Sequence, residues 1–120
     1  MNILIVDDSK AMRGIVTRAV KAAGLADATF QEASNGREAL AAIHAAKPDL
    51  VLTDWNMPEM SGFELIQALR SEGSGVKVGL VTSESDPTLR QQAFEAGALF
   101  VIQKPFTPDA VKAALQPHIG

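Results

Sequence analysis

The sequence predicts an α/β protein in which helices cover both faces of a doubly wound parallel sheet built from five β/α units. Two observations lead to this fold class. Four apolar runs are continuous rather than alternating, which is typical of strands that are buried on both faces. Segments with apolar residues at helical spacing lie between these runs, so strands and helices alternate along the chain. The runs are residues 3–6, 50–53, 78–81 and 99–102.

The composition favours one globular domain and excludes several classes of protein. At 120 residues, with 47% hydrophobic and 21% charged residues, we expect a single domain over residues 1–120 with no effector domain. A net charge of -3 without a run of Lys or Arg argues against nucleic acid as a partner. Cysteine is absent, which excludes disulfides and thiolate chemistry. Neither a membrane-length apolar stretch nor a signal-type start is present, so we expect a cytoplasmic protein without membrane contact.

The first two units follow from periodicity and capping signals. After strand 3–6, apolar residues repeat at helical spacing over 12–23, and Gly24 ends that pattern. Residues 29–33 form a weaker, more polar strand, which fits the edge of a sheet. The second helix begins at Asn35, with Glu38 at the spacing of a capping box.

The last three helices each begin with a recognisable cap. Ser61 and Glu64 have capping-box spacing after strand 50–53. Asp86 followed by Pro87 predicts the start of the fourth helix, and Thr107 followed by Pro108 predicts the start of the fifth.

Polar side chains follow four of the strands at their carboxyl ends. Asp7 and Asp8 end the first strand, Asp54 the third, Thr82 the fourth and Lys104 the fifth. Ligands of open α/β sheets bind outside this edge, near the point where the strand order reverses. We therefore expect these side chains to converge there.

Three carboxylates at one edge point to a divalent cation. If they lie about 5 Å apart, each pair repels by roughly 3 kcal/mol at an effective dielectric constant of 20. Hard oxygen ligands with positions left for water and phosphate suit Mg²⁺, and the backbone carbonyl of Asn56 is a candidate further ligand. A structural alternative gives Asp8 or Ser9 the N-cap of the first helix and Asp54 a role in a turn.

Asp54 is then the candidate nucleophile of a phosphoryl transfer, which depends mainly on positioning and charge neutralisation. Thr82 and Lys104 can donate hydrogen bonds to phosphoryl oxygens, although Thr82 could merely end a strand and most lysines face water. Pro105 follows Lys104, and a cis peptide bond there would make a tight turn. We expect His44 and His118 to be solvated.

These motifs resemble the receiver domains of two-component response regulators, and most of all the chemotaxis members of that family. The resemblance covers essentially the whole chain and implies a flavodoxin-like fold with strand order 2-1-3-4-5. The segments that carry it are Asp7-Asp8, Asp54-Trp55-Asn56-Met57-Pro58, Thr82-Ser83-Glu84 and Lys104-Pro105-Phe106-Thr107.

The resemblance implies that a histidine kinase or phosphotransfer protein phosphorylates Asp54. Asp7, Asp8, Asp54 and the Asn56 carbonyl would bind Mg²⁺, while Thr82 and Lys104 contact the phosphoryl group. Asn56 and Glu84 occupy positions that tune dephosphorylation. The face made by the fourth helix, fifth strand and fifth helix would bind a downstream protein such as a flagellar motor switch, with a phosphatase as a further partner and the protein a monomer.

One position departs from the family pattern. An aromatic residue often stands three residues before the lysine, where it moves together with the threonine. Val101 occupies that position here, and Phe100 lies on the opposite side of the strand. We therefore expect transmission through the Thr82 loop rather than through an aromatic rotamer.

Alternative functions are an aspartyl-phosphate hydrolase of the haloacid dehalogenase type and a binding module with a vestigial site. The hydrolase usually carries its nucleophile in an Asp-x-Asp motif after the first strand, whereas Asp7 is followed here by Asp8 and Ser9. Within the receiver hypothesis, a phosphorelay shuttle and a regulator of some other output stay open beside chemotaxis.

Overall fold

Five parallel strands form one sheet in the order β2-β1-β3-β4-β5, which confirms the predicted topology. The structure, a computed structural model, describes residues 1–119. The strand order reverses beside β1, so the gap between β1 and β3 is where the site is expected. The strands are β1 (Asn2–Val6), β2 (Thr29–Ala33), β3 (Leu50–Thr53), β4 (Lys77–Thr82) and β5 (Val101–Gln103).

Four helices connect the strands and a fifth follows β5, and the predicted caps begin the second, third and fourth helices. The Asn35 side chain accepts from the Glu38 N–H, Ser61 and Glu64 form a complete capping box, and the Asp86 carboxylate accepts from the Thr88 N–H. These caps satisfy backbone donors that the first turn of a helix leaves without partners. The helices are α1 (Lys10–Val20), α2 (Gly36–Ala45), α3 (Gly62–Ser71), α4 (Pro87–Ala96) and α5 (Pro108–Ile119).

Two element boundaries differ from the sequence-based prediction. The regular part of α1 ends at Val20, and Lys21–Leu25 form a π-helical turn in which Gly24 has φ 112°, a conformation that glycine adopts at little cost. The last strand begins at Val101 rather than at residue 99. The Leu99 N–H nevertheless donates to the Val78 carbonyl at 2.9 Å, so pairing with β4 begins ahead of the strand itself.

Apolar side chains are buried on both faces of the sheet, as the continuous strand pattern predicts. One layer packs the sheet against α2, α3 and α4, and the other packs it against α1 and α5. A fully buried Leu or Ile side chain contributes roughly 1.5–3 kcal/mol to stability. Members of the first layer include Leu4, Val51, Leu80, Leu65, Ile66 and Leu69, and members of the second include Ile3, Leu52, Val16, Val20 and Leu115.

Phe100 and Val101 face opposite layers, as predicted. Phe100 is buried in the layer of α1 and α5, whereas Val101 packs on the other layer. The Phe100 ring lies over Gly79, where a Cβ atom would collide with it. The missing side chain at Gly79 therefore makes room for the ring of Phe100, which directly precedes β5.

The prediction that both histidines are solvated is only partly right. The His118 ring packs against Phe100 with centroids 5.4 Å apart, because α5 covers that face of the sheet. His44 is more than half exposed, and its Nε2 lies 2.5 Å from Glu72 Oε2 at the end of α3. Within residues 1–119, each helix is too short or too polar to cross a bilayer.

Candidate functional site

The carboxyl edge of the sheet brings three carboxylates and one ammonium group together. Asp7, Asp8 and Asp54 each offer a carboxylate oxygen, and these oxygens lie within 4.8 Å of one another. The Lys104 Nζ donates to Asp7 Oδ2 at 3.0 Å and lies 3.6 Å from Asp54 Oδ2. The convergence follows from topology, because β1 and β3 are neighbours and Lys104 follows β5 directly.

Asp7 is held on several sides. Its backbone N–H donates to the Ala33 carbonyl at 3.1 Å, and its Oδ1 accepts from the Ser9 N–H at 2.9 Å. Lys104 occupies Oδ2, and the residue is only 4% exposed. Asp8 is exposed at the rim, so it can reorient more easily than Asp7. Ser9, rather than Asp8, caps α1 through the Met12 N–H.

Asp54 is placed by β3 and by the tight connection to α3. Its N–H donates to the Val6 carbonyl at 2.9 Å, and its Oδ1 accepts from the Trp55 N–H at 2.7 Å. Gly62 begins α3 so close to this residue that a Cβ atom there would collide with the Asp54 carbonyl. The sequence therefore keeps a residue without a side chain at the point where α3 approaches the candidate nucleophile.

Burial raises the pKa of the Asp54 carboxyl above its ordinary value of 3.8. The Lys104 ammonium and the Trp55 N–H oppose this increase, whereas the charges of Asp7 and Asp8 add to it. The ionised form of Asp54 therefore costs free energy in this environment unless a further cation is present.

Thr82 and Lys104 are connected through the backbone. The Lys104 N–H donates to the Thr82 carbonyl at 2.8 Å, which places the Lys104 side chain over the edge next to β4. The Lys104–Pro105 peptide bond is cis, as predicted. Thr82 is 1% exposed, and its hydroxyl accepts from the Glu84 N–H at 3.2 Å. The Thr82 hydroxyl proton stays available for another acceptor.

Asn56 and Glu84 contact each other between two loops of the edge. The Asn56 Nδ2 donates to Glu84 Oε1 at 3.0 Å and connects the loop after β3 to the loop after β4. The two residues for which a tuning role is predicted therefore act on each other. The coordination of a cation by the Asn56 carbonyl stays a prediction.

The donor set fits a small divalent cation. At a separation of about 5 Å and an effective dielectric constant of 20, each carboxylate pair repels by about 3 kcal/mol. Three carboxylates face one ammonium group, so negative charge exceeds positive charge at this edge. Carboxylate oxygens with room for water are the ligands that Mg²⁺ prefers in proteins.

Arg13 is a site neighbour that the sequence did not reveal. Its Nη1 donates to the Asp7 carbonyl at 2.6 Å, and its Nε donates to Glu32 Oε1 at 2.7 Å. The only signal in the sequence is an arginine on the first helix a few residues after the acidic pair. Such a residue is usually solvated, so the contact could be found only in three dimensions.

Comparison with protein families places the chain in a known class. The family model of the response regulator receiver domain matches residues 3–116. The chain therefore belongs to the response regulator receiver family and is a receiver of a two-component regulatory system.

Similar proteins include several chemotaxis proteins over nearly their full length. The chain is 36% identical to the chemotaxis protein CheY1 of Helicobacter pylori, with 100% of this chain and 98% of that protein covered. It is 35% identical to the chemotaxis protein CheY of Pseudomonas aeruginosa, with 97% and 94% covered. The structure of CheY4 from Vibrio cholerae superposes with a TM-score of 0.85 at 33% identity, with 98% of each chain covered.

A longer regulator is similar over only part of its length. The chain is 34% identical to the DNA-binding transcriptional regulator NtrC of Salmonella typhimurium, with 97% of this chain but 24% of that protein covered. Similarity to the receiver fold thus does not by itself specify one kind of output.

Proposed function

We propose that this protein is a phosphoacceptor switch in which Asp54 receives a phosphoryl group from a histidine kinase or a phosphotransfer protein. The observation that carries the proposal is the position of the Lys104 ammonium between Asp7 and Asp54, beside a three-carboxylate cluster, in a receiver-family chain. The same groups that are in electrostatic conflict without a ligand are complementary to a metal-bound phosphoryl group.

The proposed transfer is a displacement at phosphorus. An Asp54 carboxylate oxygen forms the new O–P bond while the N–P bond of the donor phosphohistidine breaks. The imidazole leaves with the electron pair of that bond and takes up a proton from solvent. The Trp55 N–H contact on Oδ1 orients the carboxylate, and Lys104 and Thr82 donate hydrogen bonds to the phosphoryl oxygens.

Asp7, Asp8, Asp54 and the Asn56 carbonyl would hold Mg²⁺, which supplies charge neutralisation for the transferred group. Two of these residues are already oriented by the chain, Asp7 by Ser9 and Lys104, and Asp54 by Trp55. The chain catalyses its own phosphorylation and slow dephosphorylation, and it turns over no separate substrate. We assign the lifetime of the phosphoryl group to Asn56 and Glu84, whose hydrogen bond lies between the two loops at the site.

The output surface in this proposal is the face made by α4, β5 and α5. A groove of about 340 Å³ lies there, lined among others by Arg90, Val101, Pro105 and Phe106. Reorientation of Thr82 toward the phosphate would move the loop before α4 and shift the population of this surface. The shift is limited by the difference in free energy between the two states. Val101 supplies no aromatic rotamer, so the Thr82 loop carries the transmission.

We propose chemotaxis as the pathway, with a flagellar motor switch protein as the downstream partner and a phosphatase as an accessory one. Support comes from chemotaxis proteins that match over almost their entire length. The same proposal describes this protein as a single-domain, cytoplasmic monomer that binds neither nucleic acid nor a membrane. The similarity to NtrC keeps a regulator of another output as the second candidate.

Phosphorylation is tested by intact-mass analysis after incubation with Mg²⁺ and acetyl phosphate. We expect the native chain to gain one phosphoryl group and Asp54→Asn to gain none, because the amide is not a nucleophile for this transfer. Asp49→Asn, at the amino end of the sheet, is the matched control and should behave like the native chain. An adduct that persists in Asp54→Asn would place the acceptor elsewhere and contradict the proposal.

Magnesium binding is tested by the fluorescence of Trp55, the only tryptophan. Its backbone N–H contacts Asp54, and its ring lies 5.3 Å from that of Phe63, so a rearranged carboxylate should change its emission. We expect a saturable change with Mg²⁺ and none with Asp54→Asn over the same range. Calorimetry that detects no Mg²⁺ binding to the native chain would contradict the proposed metal site.

A further inference from the structure

We propose that Arg13 is a positioning residue for the metal site, because its guanidinium holds the peptide unit that joins Asp7 to Asp8. The inference rests on the proposed function, since it concerns the geometry of two proposed Mg²⁺ ligands. In this inference Arg13 contacts neither the cation nor the phosphoryl group, and it acts from α1 through the backbone.

The contacts form a two-point clamp. The Arg13 Nη1 donates to the Asp7 carbonyl at 2.6 Å, and the Nε of the same planar group donates to Glu32 Oε1 at 2.7 Å. The Arg13 side chain is only 13% exposed, whereas that of Glu32 on β2 is 51% exposed. The clamp therefore connects α1, the loop after β1 and the edge strand β2.

The Asp7 carbonyl that Arg13 contacts influences the orientation of the Asp8 side chain. Asp7 has its own restraints, since Ser9, Ala33 and Lys104 contact its carboxylate or its N–H. The exposed Asp8 depends on the orientation of the peptide that precedes it. Because the Asp7 carbonyl belongs to that peptide, a hydrogen bond to it fixes the direction in which the Asp8 side chain leaves the backbone. Partners of this kind orient ligands and commonly change metal affinity by about 10–100-fold.

Charge alone would have the opposite effect. A guanidinium close to three carboxylates disfavours a bound cation, so removal of a mere charge should strengthen Mg²⁺ binding. Removal of a positioning contact should weaken it. The ion pair with Glu32 offsets part of the Arg13 charge and also holds the Arg13 guanidinium in place. The direction of the change therefore separates the two roles.

Lysine cannot reproduce the clamp. Its ammonium is a point donor on a flexible stem, whereas the planar guanidinium contacts two acceptors on different elements at once. Arg13→Lys therefore keeps the positive charge but removes the simultaneous hydrogen bonds to the Asp7 carbonyl and the Glu32 carboxylate. Arg13→Met removes both.

The test measures the affinities of the full chain for Mg²⁺ and Ca²⁺ by calorimetry, with the metals alone as probes. Mg²⁺ demands near-octahedral geometry, whereas Ca²⁺ accepts irregular coordination, so loosened ligands should affect Mg²⁺ more. For Arg13→Lys and Arg13→Met we expect Mg²⁺ affinity to fall about tenfold and Ca²⁺ affinity by less than about threefold. Circular dichroism and urea unfolding establish that each variant is folded.

Arg18→Lys and Arg18→Met are the matched controls, because Arg18 is an exposed arginine on the same helix. Both should keep the native ratio of Mg²⁺ to Ca²⁺ affinity. Glu32→Ala removes the second anchor and should lower the ratio in the same direction as Arg13→Lys. An unchanged ratio in folded Arg13→Lys, or tighter Mg²⁺ binding by Arg13→Met, would overturn the inference. A native chain that binds no Mg²⁺ would instead contradict the proposed function itself.

Discussion

The charged side chains at the two ends of the sheet have different kinds of partner. At the amino end, the Asp49 Oδ2 accepts from the Asn2 N–H at 2.7 Å, and the Lys77 Nζ donates to the His118 carbonyl at 2.5 Å. Each of these two charges has a neutral backbone partner. At the carboxyl end, Asp7, Asp8 and Asp54 lie within 4.8 Å of one another and share the charge of Lys104.

The difference separates contacts that stabilise the fold from a cluster of charges that conflict with one another. A charge that contacts one backbone group stabilises its surroundings modestly and needs no ligand. Crowded carboxylates cost stability in the free protein, and under the proposed function a bound cation and phosphoryl group would offset that cost. Matched substitutions at the two ends should therefore have different effects.

The largest effect is expected when lysine is replaced at the two ends. Lys104→Met leaves the acidic cluster without its internal cation, so we expect the free energy of unfolding without Mg²⁺ to fall by about 2 kcal/mol. Lys77→Met removes an exposed contact to a neutral carbonyl and should cost less than about 0.5 kcal/mol. Urea unfolding in a metal chelator measures both. Equal losses at the two ends would show that the carboxyl end carries no special electrostatic conflict.

A smaller effect with opposite signs is expected when aspartate is replaced by asparagine at each end. Asp54→Asn keeps an acceptor for the Trp55 N–H and removes one of three repelling charges, so metal-free stability should rise by about 1 kcal/mol. Asp49→Asn weakens the hydrogen bond to the Asn2 N–H and should lower stability by less than about 1 kcal/mol. Thermal and urea unfolding give the signs. Destabilisation by Asp54→Asn in chelator would contradict the comparison.

The smallest expected effect is the pH dependence of the increase in metal-free stability that Asp54→Asn brings. Because the pKa of Asp54 is raised in the folded protein, the folded state holds this proton more tightly than the unfolded chain does. The ionised carboxylate costs stability above that raised pKa, and the cost is relieved as the pH falls through it toward 3.8.

We therefore expect the stability advantage of metal-free Asp54→Asn over the native chain to shrink as the pH is lowered from neutral. Unfolding curves of both proteins, measured in parallel at each pH, isolate the contribution of this residue. A gap that widens on acidification would mean that the Lys104 contact outweighs burial at Asp54.

Much of the fold followed from local patterns. Continuous apolar runs identified four strands because a strand buried on both faces has no polar side, and Asp86-Pro87 and Ser61 with Glu64 marked helix starts through hydrogen bonds that span only a few residues. The end of α1 was harder to place. Apolar spacing continues beyond Val20, and the π-helical turn around Gly24 reflects how the chain enters β2.

The same contrast holds at the site. Asp7, Asp54 and Lys104 could be identified because each follows a strand, and parallel strands end at one edge. Arg13 and the contact of Asn56 with Glu84 could not be identified, because each depends on the direction of a long or exposed side chain between elements. The packing of His118 on Phe100 was missed for the same reason.

The sequence by itself determined the class of fold, the order of the chemical groups along the chain and the excess of carboxylate at one edge. These properties depend on continuous apolar runs, on apolar residues at helical spacing and on the polar residues that follow each strand, all of which the chain carries locally. Only the tertiary structure decided the distances among Asp7, Asp54 and Lys104, the raised pKa of Asp54 and the clamp of Arg13. Burial and long-range hydrogen bonds arise when distant segments pack, so no local pattern encodes them.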